Sequence, residues 1–304
     1  MRKSVIIFIL GFTACSAPHI DMEELKEAAQ KGDVLAQYCL GASYYEGQNI
    51  DKDIKKGREW LEKAAGEESA EAQNYLGNCY YEGIGVEKNY EKAVEWYEKA
   101  ALQGNAQAQN RLGVCYYKGE GVQQSYEKAV EWVKKAAKQG DEYAQRNLAD
   151  CYYIGKGVQQ SYEKAAKWYE KAALQGNAQA QNGLGECYYI GKGVEQSHKK
   201  AIEWFEKAAE QGNEYALYNL GVHYEKKGSV EDFEKALEYY QKAAKLGYSL
   251  AQLKMAEIYF IRGKTKKICE EDVFWLEKAC KNGVQKACEH LEERKRACEQ
   301  LKEE

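Results

Sequence analysis

The chain has 304 residues, of which 44% are hydrophobic and 30% charged, and its formal net charge is −4. This balance is too hydrophobic for a disordered chain, and a net charge so near zero lacks the basic character typical of a nucleic-acid-binding protein. A single proline excludes collagen-like or linker-rich material. Ten cysteines are too few at this length for a small disulfide-built scaffold, but they make the redox compartment a question that must be settled.

The first residues have the pattern of an export signal. Met1–Lys3 carries positive charge, residues 4–12 form a short apolar run, and two small residues then lead to Cys15. This order is typical of a secretory signal, and the run is too short to span a bilayer. The position of Cys15 resembles a bacterial lipobox, so we predict lipidation there. The alternative is a plain signal peptide that is cut near Ala17.

The rest of the chain repeats one unit of 36 residues. Pentapeptides of the form A-Q-x-x-L begin at residues 36, 72, 108, 144 and 180. Five tryptophans from Trp60 to Trp204 follow the same period, and Trp275 keeps the phase after one shorter unit. A fixed period of this length predicts an array in which each unit is one supersecondary element.

Each unit is predicted to contain two helices. In the third unit Ala108, Leu112 and Cys115 recur at helical spacing and predict one buried stripe. The glycines of residues 119–121 end that helix, and Ser125 is suited to cap the second one. Because a single helix pair cannot bury its own apolar face, neighbouring units must stack to form the core.

The consensus of these units reads A-Q-x-x-L-G-x-x-Y-x-x-G-x-G-V, then K-A-x-x-W-x-x-K-A-A-x-x-G. It resembles the Sel-one-like repeat (SLR) family, a relative of the tetratricopeptide repeat. The resemblance covers residues 21–291 and implies an all-α, right-handed α/α solenoid of about seven to eight helix-turn-helix units. Around this array we predict a signal peptide over 1–14, a short tether over 15–20 and a polar capping helix over 292–304.

Four cysteines recur at one phase of consecutive units. Equivalent helices of neighbouring units pack roughly 8–10 Å apart, whereas a disulfide requires Cα atoms within about 7 Å. We therefore expect free, buried thiols at Cys79, Cys115, Cys151 and Cys187. Cys39 lies outside this phase and has no evident partner in the sequence.

The last four cysteines lie on two consecutive helices that should run antiparallel. In such a hairpin, the residue numbers of any two facing positions add up to nearly the same value. Two pairings of these cysteines satisfy this condition. We predict the disulfides Cys280–Cys288 and Cys269–Cys298. The C-x7-C spacing of the first pair also resembles the disulfide-rich secreted branch of the SLR family. The alternative is that all four thiols are reduced. Disulfide bridges together with a signal peptide would indicate an oxidising compartment.

The resemblance implies a concave face lined by the first helix of each unit. The second tyrosine of each unit would open onto this face, where an aromatic ring buries a large area while its hydroxyl still bonds. The predicted groove residues are Tyr45, Tyr81, Tyr117, Tyr153, Tyr189, Asn74, Asn110, Arg146, Asn182 and Tyr218. The alternative for the tyrosines is packing against the G-x-G-V loop of their own unit.

A possible catalytic motif also recurs. Ser-x-x-Lys begins at Ser125, Ser161 and Ser197, and this spacing serves nucleophilic catalysis in penicillin-recognising enzymes. Because it repeats with the unit at predicted helix starts, we interpret it as capping. Some proteins of the disulfide-rich branch carry the label β-lactamase, so a β-lactamase-like or penicillin-binding enzyme stays an alternative, with no catalytic residue assigned. The four histidines lack ligand spacing, so no metal and no cofactor are predicted.

The sequence as a whole predicts a secreted or lipid-anchored scaffold for protein–protein interaction at the bacterial cell envelope. An extended partner segment would lie in the groove of tyrosines and asparagines. We expect a monomer with a protein or peptide partner, no nucleic acid, and membrane contact only through the lipid anchor. A host-directed secreted effector is a further alternative.

Overall fold

The structure is a computed structural model, and it describes residues 21–262 and 265–301. The predicted signal peptide, the tether and the lipidation at Cys15 lie outside the described residues. The described part is all-α and contains sixteen helices and no strand, which confirms the predicted fold class of repeated helix-turn-helix units. None of these sixteen helices is both long enough and apolar enough to cross a membrane.

The chain consists of two compact segments, one up to Gln160 and one from Ser161 onward. The first contains α1 (Met22–Gln30), α2 (Val34–Glu46), α3 (Ile54–Gly66), α4 (Ala70–Glu82), α5 (Tyr90–Leu102), α6 (Ala106–Lys118), α7 (Tyr126–Lys138) and α8 (Glu142–Ile154). The second contains α9 (Tyr162–Leu174), α10 (Ala178–Ile190), α11 (His198–Glu210), α12 (Glu214–Lys227), α13 (Val230–Lys245), α14 (Ser249–Arg262), α15 (Lys266–Lys281) and α16 (Gln285–Glu299). Within the described residues, the predicted capping helix over 292–304 is the second half of α16.

Side-chain caps mark where the helices begin, and a glycine in the left-handed conformation marks where α6 ends. Asn105 accepts a hydrogen bond from the backbone N–H of Ala108 at 2.9 Å, at the start of α6. Gly119 ends the same helix in the left-handed region with φ 76°, which glycine adopts without the steric cost of a side chain. The hydroxyl of Ser125 accepts from the N–H of Lys128 at 3.2 Å. Ser161 and Ser197 cap α9 and α11 in the same way, so capping by the Ser-x-x-Lys motifs is confirmed.

Small residues bring the two helices of a pair into close contact. A Cβ atom placed on Gly113 of α6 would lie 2.5 Å from the Cγ2 atom of Val133 on α7. Larger side chains such as Tyr97 and Phe205 occupy the place of Val133 in other pairs, and both are fully buried. The four phased cysteines are buried free thiols, as predicted. Burial raises the pKa of the Cys115 thiol to about 12, so it stays protonated and chemically inert at neutral pH.

A buried glutamine joins consecutive helix pairs. Gln73 on α4 donates from Nε2 to the backbone carbonyl of Ala65 at the end of α3, at 3.1 Å. Its Oε1 accepts from Nε2 of Gln103, directly after α5, at 2.8 Å. The side chain of Gln73 therefore links α3, the second helix of the preceding repeat, to the end of α5, the second helix of its own repeat. The same pair of hydrogen bonds recurs at Gln109, Gln181 and Gln252.

Replacing one of these glutamines tests how much the bonds stabilise the array. We expect Gln109→Ala to lower the free energy of unfolding by about 2–3 kcal/mol, because the buried carbonyl of Ala101 and the amide of Gln139 both lose a partner. Urea denaturation followed by circular dichroism measures this change. Gln123→Ala is the matched control at an exposed position, where we expect a change within about 0.5 kcal/mol. Equal effects of the two variants would contradict the role of the buried glutamine.

Candidate binding groove

A groove of about 670 Å³ runs across α4, α6 and α8 in the first segment. Four of the predicted groove residues line it, namely Asn74, Asn110, Arg146 and Tyr117. They lie together because the first helices stack side by side, so equivalent positions of successive repeats face the same space.

Two buried polar atoms of the groove residues have no hydrogen-bond partner in the described part of the chain. Asn74 is 7% exposed, and its Nδ2 donates to Oε1 of Gln107 at 3.3 Å. Its Oδ1 has no hydrogen-bond partner among the described residues, and neither does Nε of Arg146. The guanidinium of Arg146 is held by Asp150, with 2.7 Å between Nη1 and Oδ2. Unpaired buried polar groups are costly, so both atoms gain free energy from a hydrogen-bonding partner that reaches them.

Arg111 is a groove cation that has no ion pair in the described part of the chain. Arg146 is balanced by Asp150, and Lys118 lies 3.5 Å from Glu120. Arg111 is exposed and makes no ion pair within the residues that the structure describes. Asp141 caps α8 by accepting from the N–H of Ala144 at 2.7 Å. Burial raises the pKa of this carboxyl, and the charge of Arg111 opposes that rise.

Asparagine pairs hold the groove residues in place. Asn147 on α8 donates to Oδ1 of Asn110 on α6 at 2.8 Å. In the second segment Asn219 donates to Asn182 at 3.0 Å, and Asn182 in turn donates to Glu186 at 2.8 Å. The groove residues predicted from the sequence did not include Asn147, Asn219 or Arg111. The signal available in the sequence was the recurrence of asparagine at 147 and 219, two repeats apart.

The second tyrosine of each repeat reaches the loop of the next repeat. Tyr45 is 4% exposed, and its hydroxyl donates to the carbonyl of Ile84 at 3.0 Å. The hydroxyl of Tyr81 donates to Oε2 of Glu120 at 2.5 Å and accepts from Nζ of Lys118 at 3.1 Å. Burial and the Glu120 hydrogen bond raise the pKa of Tyr81. Tyr45 and Tyr81 therefore link successive loops and do not line the groove of α4, α6 and α8.

The rings of these tyrosines pack on the second helix of their own repeat. Edge-to-face contacts at 4.8 to 5.1 Å join Tyr81 to Tyr90, Tyr117 to Tyr126 and Tyr189 to His198. Tyr117 also reaches the groove, whereas Tyr153 is half-buried. Tyr218 lies among aromatic rings of the second segment, 5.2 Å from Tyr248 and 5.4 Å from Tyr240.

The C-terminal cysteines lie in two pairs. Cys280 and Cys288 form a disulfide with 4.7 Å between their Cα atoms. Cys269 and Cys298 are free thiols in this structure. Burial and the neighbouring Cys298 thiol raise the pKa of Cys269 to about 12, which favours the thiol over the reactive thiolate. Cys39 is buried in the first segment and is not one of the free thiols.

Within residues 21–262 and 265–301, no cluster of three or more His, Cys, Asp or Glu side chains could hold a metal ion. The groove offers hydrogen-bonding groups, the guanidinium of Arg111 and, at its rim, the side chains of Tyr143 and Ile154, which are 57% and 54% exposed.

Stacked helix pairs with a groove across their first helices define a helical repeat protein. The sequence profile of the Sel1 repeat matches residues 34–67, 70–105, 106–141, 142–177, 178–213, 214–248 and 273–284. The chain therefore belongs to the Sel1 repeat family, as the resemblance in the sequence predicted.

Solved structures of this family resemble the chain over most of its length. A Sel1 repeat protein from Oxalobacter formigenes is 34% identical with a TM-score of 0.68, covering 90% of this chain and 79% of that one. A protective antigen of uropathogenic Escherichia coli with an SLR fold is 32% identical with a TM-score of 0.57, covering 90% and 67%.

A curated relative matches over a shorter stretch. The secretory immunoglobulin A-binding protein EsiB of Escherichia coli is 36% identical over 66 residues. That stretch is 20% of this chain and 14% of EsiB. Sel1 and tetratricopeptide-like repeats generally mediate protein–protein interaction, and the chain is consistent with a scaffold of this kind.

The loop contacts of the tyrosines can be tested by removing one hydroxyl. We expect Tyr81→Phe to lower the free energy of unfolding by about 1–2 kcal/mol, because the charged partner Glu120 loses its hydrogen bond. Tyr143→Phe is the control, since its ring is exposed and its hydroxyl has no partner in the described part of the chain. Thermal and urea denaturation of both variants give the comparison. A Tyr81→Phe protein as stable as the wild type would show that the hydroxyl contributes nothing.

Proposed function

We propose that this protein is an exported scaffold that holds an extended segment of a partner protein in the groove of α4, α6 and α8. The observation that carries the proposal is the pair of buried, unpaired atoms, Oδ1 of Asn74 and Nε of Arg146. An extended peptide backbone presents N–H and C=O groups in alternation. It therefore supplies a donor to Asn74 and an acceptor to Arg146 from one chain, whatever its side chains are.

The unbalanced guanidinium specifies one side chain of the partner segment. Arg111 is exposed at the groove, and a planar guanidinium binds a carboxylate with two parallel hydrogen bonds. The preferred segment therefore carries an acidic residue opposite Arg111. Tyr143 and Ile154 flank the groove and offer apolar contact to neighbouring side chains.

The groove is rigid before a partner arrives. Asn110 is held by Asn147, and Arg146 by Asp150. These residues project from helices rather than loops. Binding to prepositioned side chains costs less conformational entropy than ordering a flexible site, which favours affinity from a few hydrogen bonds.

We further propose that the chain acts at the cell envelope or outside the cell. The signal-like start of the sequence and the Cys280–Cys288 disulfide support export, because structural disulfides persist in oxidising compartments. The similarity to EsiB, whose name gives secretory immunoglobulin A as its ligand, favours a host protein as a second candidate for the partner. A partner at the cell envelope and a host protein would both bind in the same groove.

Peptides selected from a random display library against the full chain provide the probe for the groove. We expect the selected peptides to carry an acidic residue, and the double variant Asn74→Leu with Arg111→Ala to weaken their affinity by roughly 10- to 100-fold. Isothermal titration calorimetry measures the affinity. Lys134→Ala, at an exposed position on α7, is the control and should bind like the wild type. Equal affinity of all three proteins would contradict the groove assignment.

Export and lipidation can be separated by mass spectrometry after expression of the full chain in a bacterial host. We expect a processed protein that begins at Cys15 and carries a lipid, recovered in the membrane fraction. Cys15→Ser should abolish the lipid and leave a precursor or a soluble product. Processing near Ala17 in both proteins would indicate a plain signal peptide, and an uncut cytoplasmic precursor would contradict export.

A further inference from the structure

We propose that Cys269 and Cys298 are a disulfide-forming pair that closes the open end of the α15–α16 hairpin. This proposal is independent of the groove and of its partner. It rests on the register of the two helices, on the proximity of the two thiols, and on the way in which α15 begins.

The register of the hairpin is fixed at two levels between the turn and these thiols. Next to the turn, the Cys280–Cys288 disulfide joins α15 to α16. Further along, Nη1 of Arg294 lies 2.8 Å from Oδ2 of Asp272, which is 2% exposed. A buried ion pair with this geometry tolerates little sliding of the helices, because a displaced charge would be left without its partner.

Cys269 and Cys298 lie about one helical turn beyond this ion pair, on the same faces. Cys298 is 8% exposed, and its Sγ lies 3.9 Å from the carbonyl of Lys266. The Cys298 thiol is close enough to raise the pKa of Cys269, and a disulfide between such neighbours needs little backbone movement. Cys269 is only partly buried, which gives an oxidant access to the pair.

Thiol–disulfide exchange supplies the chemistry. One cysteine, as thiolate, attacks a disulfide R–S–S–R, such as oxidised glutathione or a dithiol oxidase, and releases RSH in forming a mixed disulfide. The other cysteine then displaces the second R–S group. Overall, two protein thiols and R–S–S–R become one protein disulfide and two RSH. Because the pKa of Cys269 is raised to about 12, we expect closure to accelerate as the pH rises.

The start of α15 gives the bridge a structural purpose. Thr265 begins this helix without a side-chain capping hydrogen bond, whereas the start of α6 is held by Asn105. Helix ends that lack such caps leave backbone groups unsatisfied and open most readily. A covalent link at the far end of the hairpin restrains this opening.

Peptide mapping of the full chain tests the proposal. The protein is incubated with oxidised glutathione, its remaining thiols are blocked with N-ethylmaleimide in denaturant, and it is digested without reduction. We expect a Cys269–Cys298 linked peptide, an intact Cys280–Cys288 bridge and a blocked thiol at Cys115. Blocked thiols at both Cys269 and Cys298, or a link from either one to a different cysteine, would overturn the assignment.

Variants separate the bridge from general effects of oxidation. Oxidation should raise the Tm of the wild type and slow tryptic cleavage at Arg294 and Arg296, and Cys298→Ser should abolish both effects. Cys115→Ser should retain both effects. If Cys298→Ser does not fold, Cys269→Ser gives the same comparison. Effects of oxidation that persist in the folded variant would contradict a role for this pair.

Discussion

The buried glutamine between consecutive helix pairs is the contact on which the rest of the structure depends. Its amide donates to the end of the preceding second helix and its oxygen accepts from the residue after its own second helix. Since these groups are shielded from water, they bond well only in one relative placement of the helices. The apolar contact of alanine, leucine and cysteine side chains supplies most of the burial, but it is not directional. The glutamine adds direction, and it thereby sets the spacing at which the first helices lie beside one another.

That spacing creates the groove. Asn74, Asn110 and Arg146 occupy one phase of successive first helices, and the stacking brings them to one surface. The same spacing lets Asn147 reach Asn110 and lets Tyr81 reach Glu120. Residues that stabilise the array and residues available to a partner are therefore neighbours on the same helices. Asn74 belongs to both groups, because its amide bonds to Gln107 while its oxygen stays unpaired among the described residues.

Much of the fold could be predicted from the sequence, because its signals are local and repeat. The stripe of Ala108, Leu112 and Cys115, the cap at Ser125 and the glycines after α6 are each decided within one turn of helix. The roles of the surface residues were harder to predict. Tyr81 and Asn74 lie two turns apart on the same face of α4, so their height along the helix decides that Asn74 reaches the groove and Tyr81 reaches the next loop. The burial of Tyr45 depends on the approach of a loop from the next repeat, which no pattern within its own helix indicates. The cysteine pairs show the same limit, since facing positions can be derived from an antiparallel hairpin but the redox state cannot.

The glutamine contact also bears on how such a chain can change its length. The junctions at Gln73 and Gln109 use the same donors and acceptors, and each involves only adjacent repeats. A deletion that joins residue 72 to residue 109 would place Gln109 where Gln73 now lies, opposite the same carbonyl of Ala65 and with Gln139 in the role of Gln103. Every remaining junction would keep its full set of hydrogen bonds. Unequal recombination within such a gene can thus add or remove whole repeats without a compensating mutation, and the reach of the binding surface can vary while its chemistry is preserved.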